Sequence, residues 1–406
     1  MESEKPKELI LSLEERDRRY ALLREKLNEE GLAALIVTGN ALNGLGAPFH
    51  YLTLLWGMVD ASNAIIFPVE GDPIVLIPGP SGAQFTEAHI RMYSGGQSSN
   101  DQPIWVSPSN VYGSSNIGED LAKQITKLKL QKARIGIDSL LTWPTQQYQI
   151  FTGLCPDVQL VEARRLFSRV RAPKSGEELA FINEAIRVST LAHQAFRDNV
   201  KTGMQEREIG GLAENILTAN GANRRIILFS GKSEMPFARF PGPTLIEKPE
   251  PVAFSPEFDM LQGYGAQMIR TYCWEEPTGE YKRLFELCAE IRRTVVNEFR
   301  PGVEVTKAAA KVDKMITEWG FKPPQQSFGH GIGVSYGEDP YITTGPDQPH
   351  HEEWIIQPNE VYEIHPRITS RNGTFFMAFI GDMYLMGEDS TKWITPYLTG
   401  LPEMIS

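Results

Sequence analysis

The pattern of apolar and polar residues predicts strands between helices in the first part of the chain. Residues 13–31 are charged, with leucines at helical spacing, and residues 33–39 form an apolar run typical of a buried strand. Residues 64–78 predict two strands around the turn Glu70-Gly-Asp-Pro. A helical pattern at 117–128 precedes a short strand at 134–138. This alternation indicates a small α/β domain with a parallel or mixed sheet.

The second part of the chain has a different pattern, in which pairs of helices precede strands. Ser175 and Glu178 have the spacing of a capping box, and helices are predicted at 176–198 and 205–219. Strands at 226–230 and 252–254 follow, then helices at 282–299 and 305–319 and a strand-rich tail at 361–394. We therefore expect an α/β domain over residues 1–165 and a pseudo-duplicated α+β domain over residues 166–406.

Composition and charge narrow the classes of function. The chain has 406 residues, and its 51 acidic and 40 basic side chains give a net charge of −11. This balance, without a basic block, disfavours nucleic-acid or anionic-membrane partners. The longest apolar runs are too short to span a bilayer, and the first residues lack the apolar core of a signal peptide. Three scattered cysteines favour reduced thiols over a disulfide framework, so a cytoplasmic protein is expected.

Three motifs follow one another toward the C-terminus. They are Gly263-Tyr264 with Arg270-Thr271, then Gly329-His-Gly-Ile-Gly333, then Pro358-Asn-Glu-Val-Tyr-Glu-Ile-His-Pro366. In this order they resemble the creatinase, prolidase and methionine aminopeptidase superfamily. The resemblance covers nearly the whole chain, and in layout it is nearest to creatinase and Xaa-Pro dipeptidases. It implies an α/β N-terminal domain and a C-terminal catalytic domain with the α+β pita-bread fold.

The family's metal ligands are mostly missing from the matching positions. The resemblance implies two metal ions held by two Asp, one His and two Glu. The Asp positions fall on Pro256 and Gln267, and the Glu positions fall on His365 and Gly381, so that only His330 matches. A dinuclear site needs several carboxylates to balance two divalent cations. The expectation from these residues is a protein without a metal cofactor.

A rearranged metal site is the alternative reading of the same residues. A local gap could bring Asp259 inward and give Asp259, His330, His365 and Asp382 as ligands of one ion, a donor set that suits zinc, iron or manganese. In the competing interpretation, Glu257 and Asp259 are solvated loop charges.

Creatinase is the family precedent for hydrolysis without metal. Its resemblance implies attack of water on a C–N bond, with histidine as acid and base. The segment at 233–243, which matches the one that carries the catalytic histidine of creatinase, has no histidine, but His330, His365 and Glu363 could supply the chemistry. The leading hypothesis is a metal-independent hydrolase that cleaves a C–N bond of a small amide, amidine or cyclic amidine.

Further polar and aromatic residues are candidates for binding the substrate. Arginine could hold a carboxylate or a developing oxyanion. Arg270 could equally be a buried ion-pair partner, and Tyr264 could belong to the core. The resemblance also implies a homodimer in which the N-terminal domain of one subunit closes the active site of the other. The candidates for substrate binding are Arg239, Arg270, Gln267, Tyr264, Glu338 and Trp56.

Three other functions remain open from the sequence. One is a mononuclear metallohydrolase of the Xaa-Pro dipeptidase type, and another is a lyase on the same fold. The third is an inactive binding module that keeps the cavity for recognition. The metal content of the purified protein separates the first of these from the leading hypothesis.

Overall fold

The structure is a computed structural model that describes residues 9–39, 46–56, 62–93, 102–231, 239–260, 263–322, 328–343, 353–366, 368 and 380–405. The chain divides into two compact units. The first takes the chain up to Arg171 together with short segments at 175–178 and 261–263. The second takes the remaining residues, from Ala172 onward.

The first unit contains six strands and six α-helices among the described residues. Its strands are β1 (Ala34–Gly39), β2 (Asn63–Pro68), β3 (Ile74–Pro78), β4 (Val111–Ser114), β5 (Arg134–Ile137) and β6 (Gln159–Glu162). Its helices are α1 (Leu13–Glu29), α2 (Ala47–Thr53), α3 (Glu87–Tyr93), α4 (Ile117–Lys127), α5 (Thr145–Leu154) and α6 (Arg164–Arg171).

The strands of the first unit form one mixed sheet in the order β4-β3-β2-β1-β5-β6. β1 and β2 are antiparallel, as are β2 and β3. The pairings of β3 with β4, of β1 with β5 and of β5 with β6 are parallel. Apolar residues of the central strands are fully buried because both faces of the sheet are covered. The predicted α/β domain is confirmed, and of the two predicted alternatives, a parallel or a mixed sheet, the structure has the mixed one. The pattern did not predict α2, α3 or α5.

The second unit contains four helices and ten strands among its described residues. The helices are α7 (Gly176–Asn199), α8 (Glu206–Ala219), α9 (Gly279–Glu298) and α10 (Val305–Glu318). The strands are β7 (Ala222–Ser230), β8 (Val252–Met260), β9 (Gly265–Gln267), β10 (Arg270–Cys273), β11 (Gly329–Gly331), β12 (Glu338–Ile342), β13 (Val361–Ile364), β14 (Asp382–Met386), β15 (Thr391–Trp393) and β16 (Glu403–Met404).

Two five-stranded sheets make up this unit. One has the order β16-β10-β8-β7 with β9 on β8, and the other has the order β12-β11-β13-β14-β15. The two sheets meet where Ile269 and Gly381 exchange backbone hydrogen bonds of 3.1 Å in both directions. The candidate site lies next to this junction.

The helices of the second unit follow the sequence signals closely. Ser175 and Glu178 exchange the two hydrogen bonds of a capping box at the start of α7, as predicted. α9 and α10 pack together over an apolar core that includes Leu284, Ile291 and Val312. This core supports β11 and β13, the strands that carry the motif histidine and the motif glutamate.

No helix in the described part of the chain is long and apolar enough to cross a membrane. Cys155, Cys273 and Cys288 are buried free thiols, in line with the expectation that they form no disulfide framework.

Candidate metal centre

The backbone register of β11 and β13 brings the motif side chains together. His330 lies directly opposite Glu363 in this antiparallel pair, so both side chains project from the same face. Side chains alternate along a strand, and His365, two residues after Glu363, therefore returns to that face. The backbone NH of His365 donates to the carbonyl of Phe328, which holds the histidine beside β11 beyond the end of β13.

His330, Glu363 and His365 form a tight cluster of potential metal ligands. The Oε2 atom of Glu363 lies 3.4 Å from Nε2 of His365 and 4.0 Å from Nε2 of His330. One ligand atom from each of the three residues lies within 4.8 Å of the others. The residues are 7%, 0% and 5% exposed, in chain order, so the cluster is shielded from bulk water.

Burial sets the protonation state of His330. Desolvation lowers the pKa of its imidazole to about 4, so the ring is neutral near pH 7. Its Nδ1 lies 3.1 Å from the carbonyl oxygen of Gly331, which can only accept a hydrogen bond. In the tautomer with its proton on Nδ1, the neutral ring donates to this carbonyl and presents the lone pair of Nε2, the atom that faces the cluster. A neutral imidazole held in this way is the form that binds metals.

Gln267 and Glu257 extend the cluster toward the other sheet. Glu257 of β8 lies opposite Gln267 of β9. Nε2 of Gln267 donates to Oε1 of Glu257 over 3.0 Å, and Oε1 of Gln267 lies 3.0 Å from Nε2 of His330. Glu257 is buried within β8, which contradicts its interpretation as a solvated loop charge. Its carboxylate was missed as a part of the site because Pro256, one residue earlier, has the family spacing from Gln267.

Gly381 leaves the space that the Glu363 carboxylate occupies. A Cβ atom at position 381 would lie 2.0 Å from Oε1 of Glu363, so the carboxylate would have to move if residue 381 had a side chain. In the sequence analysis, Gly381 is the residue expected at the position of the family's last glutamate ligand. The carboxylate of Glu363 therefore enters the volume that a side chain at position 381 would otherwise take.

The donor set suits one divalent metal ion. Two imidazoles and a carboxylate form a recurrent set for zinc and for iron(II), and the distances among them allow contact with a common ion. Two ions would need several bridging carboxylates, whereas Glu363 is the one carboxylate in the ligand cluster found among the described residues. The residues present thus fit a mononuclear centre.

Asp382, one of the predicted alternative ligands, lies on the other face of its strand. Asp382 is opposite Ile364, and Met383 is opposite Glu363, so strand alternation directs Asp382 away from the cluster. Its Oδ1 forms an ion pair of 3.1 Å with Arg270. The carboxylate also accepts hydrogen bonds from Trp393, Thr395 and Tyr397.

Asp259 and Glu338 are also engaged elsewhere. Asp259 is buried in β8, and its Oδ1 accepts a hydrogen bond of 2.6 Å from the backbone NH of Tyr336. It is therefore neither a solvated loop charge nor a member of the ligand cluster. Glu338, a predicted substrate-binding residue, is buried in an ion pair of 3.5 Å with Lys174. The predicted ligand set thus retains its two histidines but not its two aspartates.

The two candidate arginines make structural contacts. Arg270 is 1% exposed, and its guanidinium donates to the carbonyls of Ile269, Gly381 and Pro396. Arg239 donates to Oε1 of Glu206 over 2.7 Å. The structure therefore supports the interpretation of Arg270 as a buried ion-pair partner, and it holds Arg239 against the start of α8.

The two aromatic candidates pack against other rings. Tyr264 is fully buried and stacks on Phe181 with ring centroids 5.5 Å apart, as expected for core packing. Trp56 lies in the first unit, where its indole stacks on the ring of His50 at 4.1 Å. Of the nine predicted site residues, His330, His365 and Glu363 form the ligand cluster, and Gln267 contacts it through His330.

Comparisons with known proteins give one family and one fold. The sequence model of metallopeptidase family M24 matches residues 180–388, just over half of the chain. The Xaa-Pro dipeptidase of Pyrococcus horikoshii is 24% identical over 262 residues, which are 63% of this chain and 72% of that protein.

Solved structures cover almost the whole chain. The prolidase from Thermococcus sibiricus has a TM-score of 0.75 at 20% identity and covers 96% of this chain and 98% of its own. The X-Pro aminopeptidase from Thermotoga maritima has a TM-score of 0.74 at 18% identity, with coverages of 95% and 99%. The chain therefore has the predicted fold, an α/β N-terminal domain followed by a pita-bread C-terminal domain.

These findings overturn the leading functional hypothesis. A metal-independent, creatinase-like hydrolase of small amides or amidines conflicts with the match to a metallopeptidase model and with the similarity to Xaa-Pro dipeptidases. The expectation went wrong because the loss of carboxylates at the family positions was given more weight than the alternative of a rearranged mononuclear site. The structure brings Glu363, which is not at a family ligand position, beside His330 and His365, and the three residues form a cluster that could hold a metal ion.

Proposed function

The chain belongs to metallopeptidase family M24, and on that premise we propose that it is a metal-dependent hydrolase with a single-metal centre. His330, Glu363 and His365 would hold the ion. The observation that carries the proposal is the approach of these three buried side chains to within 4.8 Å of one another. Burial supports the same assignment because it keeps His330 neutral and ready to coordinate.

A divalent ion in this position would act as a Lewis acid toward the scissile carbonyl group. The residues of the chain prepare the place for it. Glu363 supplies negative charge in a site from which water is largely excluded, where electrostatic interactions are strong. The carbonyl of Gly331 fixes the His330 ring with Nε2 toward the cluster. Both histidines then serve as ligands, and the acid–base role that the sequence suggested for them falls away.

Dipeptides with proline in the second position are the substrate class that we propose. The support is the resemblance to proteins named Xaa-Pro dipeptidase, prolidase and X-Pro aminopeptidase. The bond that we propose this protein cleaves is therefore the peptide bond to proline, and not the amide or amidine bond of the overturned hypothesis. A homodimer and a cytoplasmic location complete the proposal, and they rest on the family resemblance and on the buried free thiols.

The test combines metal content with peptidase activity. The purified protein is stripped with a chelator, reloaded separately with Zn²⁺, Mn²⁺ and Fe²⁺, and assayed on Ala-Pro and on Ala-Ala. Metal content is measured by inductively coupled plasma mass spectrometry. We expect about one equivalent of metal per chain, as three protein ligands around one ion require. Hydrolysis of Ala-Pro should appear only in the loaded protein.

The variant His365→Ala should lose bound metal and activity together. His89→Ala is the matched control, because His89 is an exposed histidine on α3 and should leave both quantities unchanged. Full activity in the stripped protein, or the absence of metal binding at micromolar concentrations, would contradict the proposed function.

A further inference from the structure

The ring of Tyr341 stands beside His330 at the edge of the ligand cluster. Tyr341 of β12 lies directly opposite His330 of β11 in their antiparallel pairing, so both side chains project from the same face of the sheet. The two ring centroids are 5.9 Å apart, with an angle of 50° between the ring planes. This separation is typical of interacting aromatic rings, so Tyr341 is a direct neighbour of the cluster.

Tyr341 ends a row of four side chains on one face of the sheet. On the other side of His330, Glu363 is its partner in β13, and Met383 is in turn the partner of Glu363 in β14. Across the four neighbouring strands, the row consists of Tyr341, His330, Glu363 and Met383. β12 is the first strand in the order of this sheet, so Tyr341 stands at the end of the row that lies on the edge of the sheet.

Exposure to solvent increases along this row toward Tyr341. Glu363 is fully buried and His330 is 7% exposed, whereas Tyr341 is partly exposed. Gln267 and His365 also lie beside His330, and they are 4% and 5% exposed. Among these neighbours of His330, Tyr341 is the one that solvent reaches. A substrate that approaches the cluster from this side therefore contacts the ring of Tyr341.

A hydrogen bond orients the Tyr341 ring. Its hydroxyl donates to the carbonyl oxygen of Gly337 over 3.4 Å. A Cβ atom at position 337 would lie 3.3 Å from the hydroxyl oxygen, so the glycine lets the tyrosine lie close to the backbone. The polar end of the side chain is thus directed to the protein backbone, and the apolar ring is the part that a substrate can contact.

We propose that the ring of Tyr341 selects proline by packing against the pyrrolidine ring of the substrate. This inference rests on the proposed function and adds to it the residue that decides the second position of the substrate. The proline ring buries more apolar surface against a flat aromatic ring than the methyl group of alanine does. Because this contact is already made in the bound substrate, before a bond breaks, it acts on KM and leaves kcat nearly unchanged.

The test compares proline with alanine in binding and in turnover. The full-length wild type and Tyr341→Ala are loaded with Zn²⁺, titrated calorimetrically with L-proline and with L-alanine, and assayed on Ala-Pro and on Ala-Ala. For Tyr341→Ala we expect the affinity for L-proline and kcat/KM for Ala-Pro to fall about tenfold, the size of effect that one lost apolar contact has on specificity. The values for L-alanine and Ala-Ala should stay the same, and so should the metal content.

Two further variants separate the ring from other effects. Tyr341→Phe keeps the ring and should keep the wild-type values, whereas a loss as large as that of Tyr341→Ala would assign the effect to the hydroxyl and contradict the ring contact. Tyr148→Ala is the matched control, because Tyr148 is a partly exposed tyrosine on α5 of the first unit and should change none of these quantities.

The outcomes separate the inference from the function on which it rests. If the wild type cleaves Ala-Pro but Tyr341→Ala keeps the same ratio of kcat/KM for Ala-Pro over Ala-Ala, the inference is overturned and the function stands. A wild type that binds L-proline through Tyr341 without cleaving Ala-Pro would overturn the function and keep the inference. A wild type that does neither would overturn both. If Tyr341→Ala does not fold, Tyr341→Leu, which keeps the apolar bulk without the flat ring, must show the same fall in affinity for L-proline.

Discussion

The carboxylate of Glu363 occupies the space that a side chain at position 381 would fill. A Cβ atom on Gly381 would lie 2.0 Å from Oε1 of Glu363 and 2.8 Å from the side chain of Ile269. Ile269 is bound to Gly381 through two backbone hydrogen bonds, so neither strand can move away easily. The observed position of the Glu363 carboxylate therefore depends on the absence of a side chain at position 381.

Replacing Gly381 by alanine should displace the Glu363 carboxylate from the cluster. We expect Gly381→Ala to lower zinc affinity at least tenfold, because the site loses its carboxylate ligand, and isothermal titration of the stripped protein with Zn²⁺ measures this. Gly211→Ala is the control, since a Cβ there meets nothing within 4 Å and alanine favours the helix. Equal affinities for Gly381→Ala and the wild type would show that Glu363 is not held in place by this space.

Asp382 should matter for stability and not for metal binding. It pairs with buried Arg270 at 3.1 Å and lies 3.4 Å from Nε of Arg292. Removing one partner of a buried ion pair costs about 3 kcal/mol or more, so we expect Asp382→Asn to lower the free energy of unfolding by that amount. Urea denaturation measures the loss. The folded fraction should keep its equivalent of metal, and a metal-free folded protein would restore Asp382 as a ligand.

His193 should make the protein sensitive to acid. Its ring contacts the hydroxyl of Tyr272 at 2.9 Å and the carbonyl of Met268 at 3.1 Å, and burial, aided by the charge of Arg270, lowers its pKa to about 3. The unfolded chain takes up this proton near pH 6.5, the folded protein only near pH 3, so the stability contributed by His193 is complete above pH 6.5 and falls as the pH drops.

The variant His193→Gln isolates this contribution. We expect the difference in unfolding free energy between wild type and variant to shrink by about 3 kcal/mol between pH 7.5 and pH 4.5, since each pKa unit corresponds to about 1.4 kcal/mol. Urea unfolding at several pH values provides the measurement. A difference that stays constant across this range would show that the pKa of His193 is the same in the folded and the unfolded protein.

Arg239 should stabilise the start of α8. Glu206 is fully buried, and besides Arg239 its carboxylate accepts hydrogen bonds from the backbone NH groups of Gly231 and Gly242. We expect Arg239→Met to cost about 1 to 2 kcal/mol of unfolding free energy, because a buried carboxylate loses a charged donor that is itself partly exposed. The double variant with Glu206→Gln tests the coupling. A large rise in KM for Ala-Pro without loss of stability would instead favour the predicted role in substrate binding.

Local signals predicted much of the fold and part of the site. The capping box at Ser175 and Glu178, the apolar run of β1 and the turn at 70–73 depend on neighbours within a few residues, and all appear in the structure. The pairing of Glu363 with His365 is equally local, because alternation along a strand puts residues i and i+2 on one face. Helix α5 was not predicted because its start has no side-chain cap to signal it. The helix begins at Thr145, directly after Pro144.

The sequence by itself determined the two-domain layout, the family and the presence of His330, Glu363 and His365 in its motifs, because short-range periodicity and ordered motifs carry that information. Only the tertiary structure decided which residues these side chains contact. Gln267 and His330 are 63 residues apart, and Arg270 and Gly381 are 111 apart, yet each pair is in direct contact. Such contacts depend on strand register and on the space left by a missing side chain, which residue spacing along the chain does not express.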